Sequence, residues 1–427
     1  MAVLFVFLTF TLFSKHANAL PAFARRYNFA CNVCHTDGAA PHLTELGYMF
    51  RRMAFHLPGQ LGDEQADDQG MKVTNHSAIG VNVAYQYAAN SSSGTTATVE
   101  NGINVPEVEL WPLIGGFFGN WGAWSEVDAT PPTNSGGGLD IPMADVRYAY
   151  GTPDLFYNFR AGMIASEGYG ASDQWIDDGN IPLMDILTPY KNQDTIATPL
   201  GAMNVPEMGF EAGVNYKQSH FTFGYYDGYT DQAIGQAAGA NSGLVAATLK
   251  QNDQGMRDVK FQLDQFVGNL GEITAAYYHG SIPLTLLGDN SQPWLDNYNQ
   301  ERLYLTAYAI PNKLDIVAGA SWAQNQYVTA STTPTGTFSS QGGFLGAFYY
   351  ATPHLVLAAR ADKFYFNSAQ SATGGSLQVS MPFGNRILIF HYNTLVSALS
   401  DAPDGAGGVY FPQGRTNDIG LDLRFLL

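Results

Sequence analysis

Apolar and polar residues alternate along most of the chain after residue 76. The alternation begins at Ile79, Val81, Val83, Tyr85 and Tyr87, which are separated by polar or small residues. It returns in later segments, at residues 259–263, 303–307, 316–322, 355–359 and 419–427. Successive side chains of a β-strand point to opposite faces, so each segment is predicted to be a strand with one apolar and one polar or small face.

The links between these strands favour one closed sheet. The pattern predicts about sixteen strands, an even number as in bacterial outer-membrane barrels. They lie near residues 77–88, 105–114, 117–128, 141–151, 155–163, 205–217, 219–228, 255–266, 271–281, 300–310, 313–324, 341–351, 354–365, 375–382, 386–396 and 416–427. Short links (152–154, 310–312, 352–354, 382–385) alternate with long ones (89–104, 164–204, 229–254, 282–299, 325–340, 397–415). Short periplasmic turns and long outer loops produce this asymmetry, so we predict an all-β fold, an outer-membrane antiparallel β-barrel of about 16 strands over residues 76–427.

The residues before the barrel divide into three parts. Residues 1–19 are typical of a secretory signal, with an apolar core at 3–13 and an Ala-x-Ala cleavage site at 17–19. Residues 20–60 are predicted to form a small, short α-helical segment, because apolar residues recur at helical spacing between Pro41 and Pro58. Those apolar residues are Leu43, Leu46, Phe50, Met53 and Leu57. Residues 61–75 are acidic and polar, and we interpret them as a linker.

The only two cysteines of the chain stand in one motif, Cys31-Asn-Val-Cys34-His35. This spacing is typical of c-type haem attachment, in which two thiols form thioethers and the following histidine binds the iron. A zinc site would need about four ligands, and the chain has no second cysteine pair. A thioredoxin-like redox pair would need a βαβ context, and none follows. We therefore predict one haem c, held by Cys31 and Cys34 with His35 as axial ligand.

The sixth ligand of the haem iron is expected from the same short segment. Met49, Met53 and His56 are spaced so that one helix would carry all three on one face. Met53 is our first choice and His56 the second, with His42 and Met49 ranked below them. A methionine would raise the redox potential relative to a second histidine, whereas a methionine that only packs against the barrel wall would bind no iron.

The amino-acid composition limits the kinds of molecule that this protein is expected to contact. Only 13% of residues are charged, Tyr and Phe number 24 and 26, and the formal net charge is −17. Low charge with many aromatic residues suits contact with outer-membrane lipid, and the negative charge argues against nucleic acid and favours cations. No catalytic serine triad, paired-carboxylate site or phosphate-binding loop is recognisable. The histidines at 76, 220, 279, 354 and 391 are scattered along the barrel and are interpreted as lumen or surface residues.

The run from Pro21 to His35, with Leu43, Gly47 and Phe50 after it, resembles the fused outer-membrane cytochrome–porins of iron-oxidising bacteria. The match covers roughly 40 residues, and the rest agrees only in architecture. The resemblance implies a single-haem segment at the periplasmic mouth or in the lumen of an outer-membrane barrel. It also implies that extracellular Fe(II), or another electron donor, is oxidised and that a periplasmic cytochrome or other electron carrier receives the electrons.

Two other functions stay open at this stage. The chain could be a diffusion porin whose haem-bearing segment serves as a plug or gate, which predicts solute conductance. It could also be an enzyme acting on a small ligand, such as peroxide, at an iron without a sixth protein ligand. Four candidate ligands close to His35 argue against that enzyme.

Overall fold

The structure, a computed structural model, describes the barrel strands and part of the N-terminal segment. The described residues are 27, 29, 33–34, 43–61, 88–89, 99–100, 113–130, 138–164, 207–226, 244–246, 258–286, 294–328, 334–366, 370–383, 386–397 and 414–425. The predicted signal at 1–19 and nearly all of the predicted linker at 61–75 lie outside them.

Eighteen strands and one α-helix are described in these ranges. The helix is α1 (Glu45–Arg52). The first strands are β1 (Ala88–Ala89), β2 (Val99–Glu100), β3 (Leu113–Phe118), β4 (Trp121–Thr130), β5 (Gly138–Thr152), β6 (Leu155–Ile164), β7 (Glu207–Tyr216), β8 (Ser219–Tyr226) and β9 (Leu244–Ala246). The others are β10 (Asp258–Phe266), β11 (Gly271–Leu286), β12 (Trp294–Ile310), β13 (Leu314–Val328), β14 (Pro334–Thr352), β15 (Leu355–Phe366), β16 (Gln370–Phe383), β17 (Arg386–Ser397) and β18 (Gly414–Phe425).

The strands form the wall of an antiparallel β-barrel. In the described part of the chain, β3 to β18 make one 16-stranded sheet in which neighbours in sequence are neighbours in space. The exception is β9, which pairs with β11 and leaves β8 to pair with β10. Strand β1 pairs with β2, and residues of β1 lie within 8 Å (Cα to Cα) of residues of the last strand, β18. The predicted barrel is confirmed.

Strand β10 illustrates how the two faces of the wall differ. Phe261 and Leu263 are 41% and 43% exposed on the outer face. Lys260 and Asp264, which alternate with them, are 1% and 0% exposed on the inner face. An apolar outer face and a polar inner face are what a barrel in a bilayer requires. We refer to the space bounded by the inner faces as the lumen.

Several predicted boundaries were wrong. The predicted break between strands near 105–114 and 117–128 falls inside β3, where Gly115 and Gly116 pair with β4. The turn is at 119–120 instead, where Gly119 has a φ of 56°. The predicted loops 282–299 and 325–340 are partly strand, and the link between β15 and β16 is only 367–369, so short and long links do not alternate strictly. Backbone pairing continues beyond the apolar band because the ladder bonds do not depend on apolar side chains.

Helix α1 is shorter than the sequence pattern predicted. It begins after Thr44, whose side chain accepts a hydrogen bond from the Gly47 amide, and it ends at Met53. Ala54 and Phe55 follow with φ of 52° and 65°, a left-handed turn that stops the helix before Leu57. In the described part of the chain, no helix is both long and apolar enough to cross a membrane.

Candidate functional site: the N-terminal segment on the lumen wall

Helix α1 is attached to the inner face of the barrel by a buried tyrosine. The Tyr48 hydroxyl donates to Asp264 Oδ2 at 2.6 Å and lies 2.8 Å from Nδ1 of His220. Since a phenol has one proton, the His220 ring donates to the Tyr48 oxygen while that proton goes to Asp264. Thr274 and Gln262 also donate to Asp264, at 2.7 Å and 2.9 Å. Tyr48 therefore bonds directly to β8 and β10, and through Asp264 it is connected to β11.

Burial changes the pKa of this tyrosine. Burial raises the pKa of the Tyr48 phenol well above its ordinary value of 10.0, the nearby Arg52 lowers that pKa, and Asp264 raises it again. The phenol consequently keeps its proton and remains a hydrogen-bond donor across the physiological pH range.

A second attachment uses charge. Arg52 of α1 lies 3.7 Å from Glu211 on β7, and both side chains are almost fully buried. Glu211 also binds Arg160 of β6 at 2.6 Å and Lys260 of β10 at 2.5 Å, and it accepts a hydrogen bond from Tyr226. Removing one member of such a buried cluster leaves an uncompensated charge in a poorly solvated place, which is costly. The cluster therefore ties α1 firmly to β6, β7 and β10.

The turn after α1 is fixed from another side. The Phe55 amide donates to the carbonyl of Phe50 at 2.9 Å, which closes the left-handed turn. Arg147 of β5 donates to the Arg51 carbonyl at 3.2 Å, and its guanidinium lies 4.9 Å from the centre of the Phe55 ring. At Gly122 of β4, an added Cβ would come within 2.5 Å of the Ala54 carbonyl oxygen, so backbone and wall are in close contact.

The aromatic residues of the segment make an apolar cluster with the wall. Phe50 and Phe55 are buried together with Phe117 of β3, and Tyr27, Leu57 and Trp124 pack against them. On the other side of α1, Leu43 and Tyr48 are buried with Phe266 of β10. The segment 43–61 is thus packed into one side of the lumen, along β3, β4, β5, β7, β8 and β10.

The structure describes two residues of the predicted haem motif, Val33 and Cys34. Cys34 is half-buried. Its carbonyl accepts a hydrogen bond from the Thr44 amide at 2.9 Å, next to the start of α1. Cys31, His35 and the alternative ligand His42 lie outside the described residues.

The described candidates for the sixth ligand fall in two different environments. Met53 and His56 are 0% and 2% exposed, and the His56 Nδ1–H donates to the Met53 carbonyl at 2.9 Å. Met49 packs against the cluster of Leu43, Tyr48 and Phe266 on the wall. The expectation that Met49, Met53 and His56 share one helix face was wrong, because the left-handed turn ends the helix before His56.

The described donors fit a haem group in their chemistry. A histidine that binds a metal usually donates its other ring N–H to a carbonyl or carboxylate, and the bond from His56 Nδ1 to Met53 leaves the lone pair on Nε2 in the neutral ring. Cys34 supplies the thiol for one thioether and Met53 a thioether sulfur. Within the described ranges, no three histidine, cysteine or carboxylate side chains come together to hold a separate metal ion.

Sequence reasoning missed the residues that hold the segment. His220 was interpreted as an ordinary lumen or surface histidine, and Asp264 and Glu211 were not singled out. Tyr48 lies 172 residues from His220 and 216 from Asp264 in the chain. The available signal was weak: these residues occupy inward positions of predicted strands, which are commonly polar in barrels.

Solved structures with a similar fold are outer-membrane porins. The anion-selective porin from Comamonas acidovorans matches with a TM-score of 0.53 and 11% identity, over 82% of this chain and 98% of the porin. The outer-membrane channel DcaP of Acinetobacter baumannii matches with a TM-score of 0.50 and 9% identity, over 81% and 96%. No protein-family model and no curated protein matches the sequence. At these identities the likeness establishes the porin-like fold.

Proposed function

We propose that this chain is an electron-transfer protein of the bacterial outer membrane. It carries one haem c on the N-terminal segment in the lumen, oxidises extracellular Fe(II), and passes the electrons to a periplasmic carrier. The observation that carries this proposal is the buried attachment of segment 43–61 to the wall through Tyr48 and Arg52. A site for electron exchange must be held at a fixed distance from its partners, and rigid support of this kind provides that.

The outer surface supports the membrane location. Exposed aromatic residues lie within four positions of the short turns: Trp121, Tyr150, Tyr157, Tyr216 and Tyr349. A second row of exposed aromatic residues consists of Tyr277 on β11, Trp322 on β13 and Tyr365 on β15. On the strands between them, Glu301 pairs with both Tyr277 and Trp322, and Gln341 pairs with both Trp322 and Tyr365.

The distance between these two rows is close to the height of the apolar band of an outer-membrane barrel, about 25 Å. On β14, Tyr349 and Gln341 are roughly 27 Å apart along the strand at about 3.4 Å per residue, and strand tilt reduces this to roughly 20 Å of height. Apolar residues such as Leu345 lie between them on the outer face. Two aromatic girdles that flank an apolar band are typical of outer-membrane barrels.

A haem held by Cys31, Cys34 and His35 would supply one-electron chemistry. The chain's own residues hold its carrier segment, with Met53 or His56 as the sixth ligand. The hydrogen bond from His56 Nδ1 to the Met53 carbonyl is an argument for His56. Met53 stays the alternative, and replacing each in turn by leucine separates them, because a haem with methionine and one with histidine differ in absorption spectrum and potential.

Anaerobic stopped-flow absorbance tests the proposed function. The purified, oxidised protein in detergent is mixed with Fe(II), and the reduced haem bands should appear rapidly. If dithionite reduces the haem but Fe(II) leaves it oxidised at every pH, iron is the wrong donor. If the protein contains no haem, the electron-transfer proposal fails.

The second candidate function is a diffusion porin whose N-terminal segment is a plug or gate. Its support is the porin-like fold together with the polar inner wall. Planar-bilayer recording separates the two functions. Conductance of the whole protein, whether steady or opening and closing in steps, would favour the porin, whereas a whole protein that stays closed would favour electron transfer.

A further inference from the structure

The residues at the start of α1 contact the backbone of the predicted haem motif. Thr44 makes three hydrogen bonds there: its amide donates to the Cys34 carbonyl at 2.9 Å, its hydroxyl donates to the Val33 carbonyl at 2.7 Å, and that hydroxyl accepts from the Gly47 amide at 3.1 Å. The Thr44 side chain therefore caps the helix and binds the Val33 carbonyl, while the Thr44 backbone amide binds the carbonyl of Cys34.

Gly47 completes this contact. An added Cβ at Gly47 would collide with the carbonyl of Cys34, because the two backbones touch at this point. Gly47 is buried, whereas Val33 and Cys34 are half-buried. The absence of a side chain at position 47 allows the close approach of the two segments.

We infer that Thr44 and Gly47 are positioning residues for the haem motif. They hold the backbone of Val33 and Cys34 against α1, and Tyr48 and Arg52 hold α1 against the wall. The thiol of Cys34 is thereby placed at a defined height in the lumen. The inference rests on the proposed haem function, but the position of the Cys34 backbone can be tested without haem.

Three substitutions at Thr44 separate the helix cap from the contact with Val33. Thr44→Ser keeps both roles. Thr44→Asp keeps the cap, because aspartate is a good N-cap acceptor, but it has no proton to donate to the Val33 carbonyl. Thr44→Val loses both. Gly47→Ala tests the close approach independently of the cap.

The test measures how fast a maleimide labels Cys34 in haem-free, refolded protein. The background is Cys31→Ser, so that Cys34 is the sole thiol of the chain. We expect Thr44→Asp and Gly47→Ala to label at least several-fold faster than the parent and Thr44→Ser to label at the parental rate. Heat-modified migration in gel electrophoresis verifies that each barrel is folded.

Equal labelling rates for all folded variants would overturn the inference. In haem-loaded protein with both cysteines present, Thr44→Asp should also lower the haem bound per chain or shift its midpoint potential, and Thr44→Ser should restore both. A parent protein that never takes up haem, with labelling rates that nonetheless differ as expected, would refute the proposed function and leave the backbone contact established.

Discussion

The two sides of the lumen use buried charge in different ways. On the side formed by β6 to β10, Glu211 binds Arg160 on a neighbouring strand and also reaches Arg52 of α1. On the opposite side, Arg360 binds Asp362 two residues further along the same strand, β15. The first arrangement connects the wall to another part of the chain, whereas the ion pair on β15, like that of Arg147 with Asp145 on β5, lies within one strand. One side of the barrel is therefore shaped to hold the N-terminal segment.

The buried apolar residues also differ between the two sides of the lumen. Phe117 and Phe266 of the wall are buried together with residues of the segment, Phe50 and Tyr48 respectively. On the other side, the buried cluster of Tyr304, Val317, Phe344, Phe348 and Ala358 contains, among the described residues, only side chains of β12 to β15. Substitutions on one side of the barrel can therefore detach the segment without changing the contacts on the other side.

The largest effect is expected from Glu211→Ala. This change leaves Arg160, Lys260 and Arg52 buried without their shared carboxylate, which should cost about 3–5 kcal/mol of folding free energy. Amides of α1 should also exchange hydrogen faster, as measured by mass spectrometry. The matched control, Asp362→Ala, should also destabilise the barrel because it removes the carboxylate that binds the buried Arg360. The amides of α1 should nevertheless keep their protection from hydrogen exchange. Equal loss of protection in both variants would contradict the asymmetry.

Gly122→Ala should have the next largest effect. The new methyl group would press on the Ala54 carbonyl at 2.5 Å and on the Phe55 ring at 2.8 Å, which should cost about 1–3 kcal/mol. Gly375→Ala on the opposite side is the control, because its nearest neighbours lie at 3.6 Å and 3.7 Å. Thermal unfolding followed by circular dichroism measures both. A Gly122→Ala barrel as stable as Gly375→Ala would mean that the segment does not touch β4.

Tyr48→Phe should destabilise by about 1–3 kcal/mol, because Asp264 loses one of its buried donors while Thr274 and Gln262 stay. The control is Tyr304→Phe, which removes a hydroxyl that accepts from Arg302 on the opposite side. Denaturant unfolding should show losses in both variants. Hydrogen exchange of residues 43–61 should rise only in Tyr48→Phe, and an unchanged rate there would argue against this attachment.

The smallest effect is the alkaline pH dependence. The pKa of Tyr48 is higher in the folded protein than its ordinary value of 10.0, so its contribution to stability is complete below about pH 10 and falls as pH rises toward the folded pKa. One such group changes stability by about 1.4 kcal/mol per pH unit in that range. The difference between parent and Tyr48→Phe, measured by denaturant unfolding at several alkaline pH values, should shrink accordingly. A constant difference would show that Tyr48 is not buried as described.

The barrel could be predicted from the sequence because the pattern that produces its strands is local. Alternation of side chains across a strand is visible in any window of ten residues, and β17 (Arg386–Ser397) was predicted to within one residue. Strand ends were less predictable, since polar residues beyond the apolar band still pair through their backbones, as in β12 and β14. The short strand β9 in a predicted loop has no such pattern.

For the candidate site, the sequence predicts a chemistry, and the contacts that hold the site could not be predicted. The spacing of Cys31, Cys34 and His35 indicates haem attachment without any structure. The contact of Tyr48 with Asp264 depends on the complete barrel, because two side chains 216 residues apart are brought together by strand order alone. The left-handed turn that follows α1 was missed because neither Ala54 nor Phe55 is a residue type that favours a left-handed backbone.

Proteoliposomes test the central claim, that this barrel moves electrons and not solutes. Fe(II) is added outside vesicles that enclose both an oxidised cytochrome and a small fluorescent dye. The account predicts that the enclosed cytochrome is reduced while the dye stays inside, and that Cys34→Ser abolishes the reduction. Release of the dye without reduction of the cytochrome would contradict the account and identify the chain as a diffusion porin.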